Sequence, residues 1–166
     1  MRPRQRELAW WERGLESFAQ TRAGGWIAVH VANRIDRHLL KWTNGRVGMF
    51  FGQSVGLLFA TGAKSGEPRE TPLLYTPDDS RILLVASNAG STRHPAWYHN
   101  VVAHPDVEFL PRGGPRAAYR ARELDGAERE AAWAKVNDMY TGYETYQGRT
   151  EGRRIPVIAL EPRTGR

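Results

Sequence analysis

Apolar residues recur at helical spacing over the first forty positions. Leu8, Trp11, Leu15 and Phe18 share one face with charges between them, so residues 6–18 read as an amphipathic helix that Gly24 and Gly25 end. Ile27, Val31, Ile35, Leu39 and Trp42 repeat the pattern, with Arg34, Arg37, His38 and Lys41 near the other side, and predict a second helix over 26–42. Asn44 and Gly45 close it. Residues 45–53 are rich in Gly and Phe and lack periodicity, and they read as a connector between this helical arm (1–44) and a body of different texture.

From Val55 onward the pattern is that of strands. Residues 55–61 form a short apolar run, 62–66 a turn, and 69–76 a second strand in which Pro72 indicates an edge or a bulge. Turn chemistry at 77–80 joins that strand to 81–87 as a hairpin. The loop 88–95 leads into a short helix over 96–103, with Pro95 suited to its first turn. Residues 107–110 and 117–124 read as a further strand pair. Asp125 caps a helix running to about Tyr140, with Glu128 completing a capping box, and a last strand over 155–160 stops before Pro162. Consecutive strands with few helices between them predict an α+β, mainly β fold: a small antiparallel barrel with peripheral helices.

The length, 166 residues with 40% hydrophobic and 25% charged, fits one domain spanning 1–166 with its body at 54–162. Cysteine is absent, which removes thiolate nucleophiles, CxxC redox pairs and Cys-bound metals, and fits a reducing cytoplasm. Redox chemistry therefore needs a borrowed cofactor. The longest apolar run, Val55 to Ala60, falls far short of the roughly 18–20 residues that span a bilayer, and the polar, Trp-rich start is unlike a signal peptide. A cytoplasmic location follows as the expectation. Trp10, Trp11, Phe18, Trp26 and Trp42 among basic residues suit a peripheral membrane contact, a cover over the active site, or packing on the barrel. A net charge of +6 favours an anionic partner. The basic residues are scattered and form no nucleic-acid motif, so no nucleic-acid partner is expected.

Four segments carry candidate chemistry. Gly62-Ala-Lys-Ser-Gly66 lacks the GxxxxGK[ST] pattern, yet Lys64, Ser65 and Arg69 about a tight turn suit a phosphate or carboxylate, or else form a solvated hairpin tip. His94, His99 and His104, five residues apart, fall on different helix faces, so no metal site is expected. His94 and Pro95 instead shape the loop. Trp97 either anchors the core or stacks on a planar ring. Tyr140, Tyr143 and Tyr146 at spacing three stack along one side of a helix, as packing or as proton-donating phenols.

Taken together, the segments 57–69 (LLFATGAKSGEPR), 71–75 (TPLLY), 85–88 (VASN), 94–100 (HPAWYHN), Met139-Tyr-x-x-Tyr-x-x-Tyr-Gln147 and 154–157 (RIPV) resemble the deazaflavin-dependent nitroreductase family of actinobacteria, in order and with compatible spacing. The resemblance implies a split β-barrel, coenzyme F420 as cofactor, and hydride transfer from the reduced deazaflavin to a conjugated enone, quinone or nitroaromatic. It also implies site roles. Ala63, Lys64 and Ser65, with Arg69, Glu70, Thr71, Pro72, Leu73 and Leu74, would hold the cofactor's phosphate and acidic tail. Val85, Ala86, Ser87 and Asn88 would line the ring, and Ala96, Trp97, Tyr98, His99 and Asn100 would close over it. Tyr143 would reach the ring, Tyr140 and Tyr146 would face the substrate, and Ser87 with the tyrosines would donate hydrogen bonds or a proton. Ala63 and Asn88 depart from the Arg and Lys common in that family; each loses a contact worth roughly 1.5–3 kcal/mol. The alternatives are an FMN-binding oxidoreductase of the same fold and a non-catalytic deazaflavin-binding protein. Split barrels often pair, so a homodimer is an open expectation.

Overall fold

A computed structural model describes residues 54–163. The expected helical arm, its connector and any membrane contact through them lie outside the described residues. Six strands form a closed barrel in the order β1-β2-β3-β6-β5-β4, every pair antiparallel: β1 (Val55–Thr61), β2 (Pro68–Asp78), β3 (Arg81–Val85), β4 (Asp106–Leu110), β5 (Ala117–Glu123) and β6 (Val157–Pro162). Among the described residues three helices accompany them: α1 (Ala96–Ala103), α2 (Gly126–Met139) and α3 (Gly142–Arg149), with a 3-10 turn at Asn88–Gly90. Among the described residues no helix is long and apolar enough to cross a membrane.

Period-two alternation divides the apolar residues between two cores. Leu58, Ile82, Leu84, Phe109, Ala121, Ile158 and Leu160 fill the barrel, and Trp97 and Val101 of α1 join them. Leu83, Val85, Val157 and Ala159 point the other way, beneath Ala132 and Val136 of α2 and Tyr143 of α3. Strands β3 and β6 are thus buried on both faces, which is why they read as unbroken apolar runs. Pro72 registers against Leu57 of β1 where β3, paired only to Tyr75–Asp78, no longer reaches, so its missing N–H costs no ladder bond.

Several boundaries differ from the sequence expectation. Pro77 and Asp78 pair with Ile82 and Arg81, leaving Asp79 and Ser80 as a two-residue hairpin turn, with Asp79 at φ 54°. β6 begins at Val157 and runs through Pro162, which registers with Tyr119 at the strand end, where a missing donor is tolerated. The capping box does not form. Asp125 makes no side-chain cap bond, and the Glu128 carboxylate accepts instead from Arg81 at 2.5 Å and Arg122 at 2.9 Å, which hold its pKa down at about 2. Arg81 also pairs with Asp78 at 2.7 Å, and Lys135 of α2 pairs with the same carboxylate, so these charges fasten α2 to the barrel wall.

Gly56 sits where a Cβ would stand 2.4 Å from the Phe109 ring and 2.9 Å from the Leu110 carbonyl oxygen. Gly56→Ala is expected to lower stability by about 1–3 kcal/mol through overpacking. Chemical denaturation checks this: a wild-type midpoint would show that Phe109 gives way at no cost.

Candidate functional site at one end of the barrel

Antiparallel alternation puts the turn after β1, the loop after β3, helix α1 and the segment before β6 at the same end of the barrel. The turn closes through Gly62 N–H to the Glu67 carbonyl (2.8 Å) and Gly66 N–H to the Gly62 carbonyl (2.9 Å), with Gly66 at φ 69°. The Ser65 hydroxyl accepts from the Glu67 amide (3.3 Å) and the Arg69 guanidinium (3.2 Å). A side chain at Gly62 would meet Ser65 Oγ at 2.6 Å and displace that hydroxyl from its place in the turn. Asn100 of α1 accepts the Ala63 amide at 2.9 Å and ties the turn to the helix. Among the described residues, Lys64 and Arg69 have no carboxylate partner, whereas Arg81, Arg116, Arg120, Arg122, Arg154 and Lys135 all do. Two exposed cations without counter-ions are the donor set that a phosphate and an acidic tail require, so the residues fit coenzyme F420.

Helix α1 presents three faces. Trp97 and Val101 enter the barrel, and Trp97, 6% exposed, is the core anchor rather than a free stacking surface. Tyr98 donates to Glu123 at 2.7 Å; burial and that carboxylate push its phenol up to about 12. Ala96, His99 and Asn100 remain on the side of the turn or in solvent. The stretch 70–74 is likewise split by strand alternation: Leu73 packs on the barrel core, and Glu70, Pro72 and Leu74 face away from it. A ligand along β2 meets one of these faces, or the backbone, not all five side chains.

The loop after β3 is held from below. The Asn88–Gly90 turn strings three left-handed residues together, Asn88 at φ 49°, Ala89 at 53° and Gly90 at 79°. Arg153 donates to the carbonyls of Ser87 (3.0 Å) and Ser91 (2.7 Å) and to Nδ1 of His94 (3.1 Å). His94 therefore carries its proton on Nε2, stacks on Tyr98 at 4.5 Å, and shapes the loop as expected. The Ser87 hydroxyl has no partner among the described residues. Nothing in the sequence marks Arg153, because its partners lie about sixty residues away and no periodicity singles it out; the neighbouring RIPV segment is the nearest signal.

The three tyrosines do not share one helix. Tyr140 is the extended residue that ends α2 (φ −147°), and Tyr143 and Tyr146 belong to α3. Gly142 permits the break: a Cβ there would lie 2.4 Å from the Tyr140 ring. The phenols still gather, with Tyr140 and Tyr146 hydroxyls 3.1 Å apart and Tyr143 edge-on to Tyr140 at 5.1 Å. Tyr143 is buried among Leu83, Val136 and Val157, and burial with its two phenolic neighbours raises its pKa well above the usual range.

A closed antiparallel barrel with a basic turn and a polar loop at one end is the split-barrel architecture that the sequence resemblance implies. Residues 32–162 match the family described as F420H(2)-dependent quinone reductase. An F420H(2)-dependent quinone reductase of Mycobacterium tuberculosis strain H37Rv is 38% identical over 146 residues, covering 83% of this chain and 97% of that protein. A solved structure described as a domain-swapped dimer is 37% identical with a TM-score of 0.63, covering 77% of this chain and 94% of its own. Another, described as an F420-H2 dependent reductase, is 39% identical with a TM-score of 0.56, covering 64% and 93%. The chain belongs to the F420H(2)-dependent quinone reductase family; it is an oxidoreductase whose cofactor is reduced coenzyme F420, and the FMN alternative falls away.

Burial, then the Arg153 charge, lowers the His94 pKa below its ordinary 6.5. The unfolded chain then binds a proton that the native loop refuses, so stability is full above pH 6.5 and falls as pH drops below it. His94→Gln is expected to remove that part of the melting-temperature profile between pH 7.5 and 5.5; an unchanged profile would show that His94 titrates alike in the folded and unfolded chain.

Proposed function

We propose that this chain reduces quinones with F420H(2), binding the cofactor where turn 62–67, α1 and the loop after β3 meet. The observation that carries the reading is the pair of cations, Lys64 and Arg69, left without counter-ions on that turn. Ala63 and Asn88 supply no charge, so Lys64 and Arg69, with solvent-facing Arg93, recognise the phosphate and acidic tail. Val85, Ser87 and Asn88 line the ring, whereas Ala86 is fully buried in the barrel core and cannot touch it; Ala96, His99 and Asn100 bound it from α1. Trp97 and Tyr98 support that helix from beneath.

Bound F420H(2) supplies a hydride, and the remaining work falls to the protein's own groups. A quinone oxygen gains negative charge as hydride arrives and needs a donor in place beforehand. The Tyr140–Tyr146 hydroxyl pair supports this role: the two phenols lie 3.1 Å apart, and either can act as donor. Ser87, whose hydroxyl has no partner among the described residues, is a further donor. Tyr143, buried and held protonated, packs the pair in place. The relative described as a domain-swapped dimer supports pairing of two copies.

Lys64→Ala and Arg69→Ala are each expected to weaken F420 binding about tenfold, the loss of one charge-assisted hydrogen bond. Cofactor fluorescence and tryptophan quenching read it, and equal affinity for FMN in the wild type would overturn the assignment of this turn. Tyr140→Phe and Tyr146→Phe should each lower kcat with menadione about tenfold at saturating cofactor while leaving F420 affinity unchanged. Full turnover in both variants would withdraw the phenol pair from the mechanism.

A further inference from the structure

We infer that Arg153 is a positioning residue that fixes the loop after β3 to the helix carrying Tyr143 and Tyr146, and so sets the spacing between ring and substrate donors. The inference rests on the proposed role of that loop in lining the ring.

Topology first brings the two segments together. Val85 and Val157 are the last pair of the β3–β6 ladder, and the Ala86 amide donates to the Pro156 carbonyl at 3.0 Å, so residues 86–91 and 150–156 leave the barrel side by side. The loop is costly to hold. Asn88 and Ala89 occupy left-handed backbone that side chains disfavour, and such strain persists only where surroundings enforce it. Local bonds are few: Gly90 N–H to the Ser87 carbonyl, Ser91 N–H to the Asn88 carbonyl, Asn88 Nδ2 to the Arg93 carbonyl, and Arg93 N–H to Ser91 Oγ.

Arg153 supplies the enforcement. Its Nε and one terminal nitrogen both donate to the Ser91 carbonyl at 3.1 and 2.7 Å, and that same nitrogen reaches the Ser87 carbonyl at 3.0 Å. The other terminal nitrogen serves Nδ1 of His94 at 3.1 Å and the Ala86 carbonyl at 3.4 Å. One planar fork thereby satisfies acceptors spread over nine residues, which a point-charged ammonium cannot do. No carboxylate competes for this half-buried guanidinium among the described residues.

The fork is itself anchored on α3. The Arg153 carbonyl accepts from Gln147 Nε2 (2.8 Å) and Thr150 Oγ1 (2.6 Å), and Gln147 Oε1 accepts the Ile155 amide (2.8 Å). Gly90 completes the contact: a Cβ there would lie 3.0 Å from the Tyr146 carbonyl oxygen, so the loop lies directly on the backbone of α3. Loop and helix form one bracket, with Ser87 on one arm and Tyr146 on the other.

Arg153→Gln and Arg153→Lys test the inference, with Arg122→Gln as a control that removes an arginine from the remote surface network. In cofactor-free protein, hydrogen exchange at the Ala86, Gly90 and Ser91 amides is expected to quicken about tenfold or more in both Arg153 variants and to stay unchanged in Arg122→Gln. At saturating F420, kcat with menadione should fall about ten- to a hundredfold, the effect of a donor misplaced by an ångström, while KM stays within threefold. Should Arg153→Gln fail to fold, Arg153→Lys gives the same readings. Wild-type exchange and kcat in either Arg153 variant would overturn the inference, since a lysine that restores both would show charge to suffice. Loop amides of the wild type that gain no protection from F420 would instead overturn the ring-lining reading, with the cofactor-free exchange still judging the clasp.

Discussion

Strands β3 and β6 have no solvent face. Ile82, Leu84, Ile158 and Leu160 fill the barrel while Leu83, Val85, Val157 and Ala159 lie under α2 and α3. A one-residue slip between strands normally exposes apolar side chains, and that penalty fixes register. Here both faces are apolar, so the ends must set it. At one end Arg81 pairs with Asp78 and Glu128; at the other the Ala86 amide meets the Pro156 carbonyl and Arg153 gathers the loop carbonyls. The polar contacts therefore specify an alignment that hydrophobic burial alone leaves open.

The same alignment decides where chemistry is possible. Trp97 and Val101 join the barrel core, so the interior is filled and the proposed cofactor site lies outside the strand ends. The loop after β3 and the segment before β6 emerge together as neighbours in the ladder. The outer core beneath α2 and α3 then carries the tyrosines to that end. Stability and site geometry thus share residues: Tyr143 is at once core packing and the support of the two hydroxyls beside it.

Alternation and turn residues made the barrel legible in the sequence: every strand from β1 to β6 was anticipated, and α1 over its whole length. The misses share a cause. Glu128 has the spacing of a capping box, but Arg81 and Arg122 reach it across the fold and compete successfully for its carboxylate. Tyr140 has the spacing of a helical stripe, but Thr141-Gly142 breaks the helix and tertiary packing regathers the phenols. The clustering of Lys64, Ser65 and Arg69 was legible because one turn gathers them locally. Arg153 was not, because its meaning lies in carbonyls 62 to 67 residues away, and carbonyls carry no sequence signature.

The turn between β1 and β2 also has a kinetic side. Cations neutralised by neighbouring carboxylates project little field beyond their own pair, whereas Lys64 and Arg69 leave theirs open to solvent. At physiological ionic strength such a field extends about 8 Å, enough to orient a polyanionic molecule before contact. If the cofactor is captured at this turn as proposed, capture should slow as salt rises even where the bound complex is well formed.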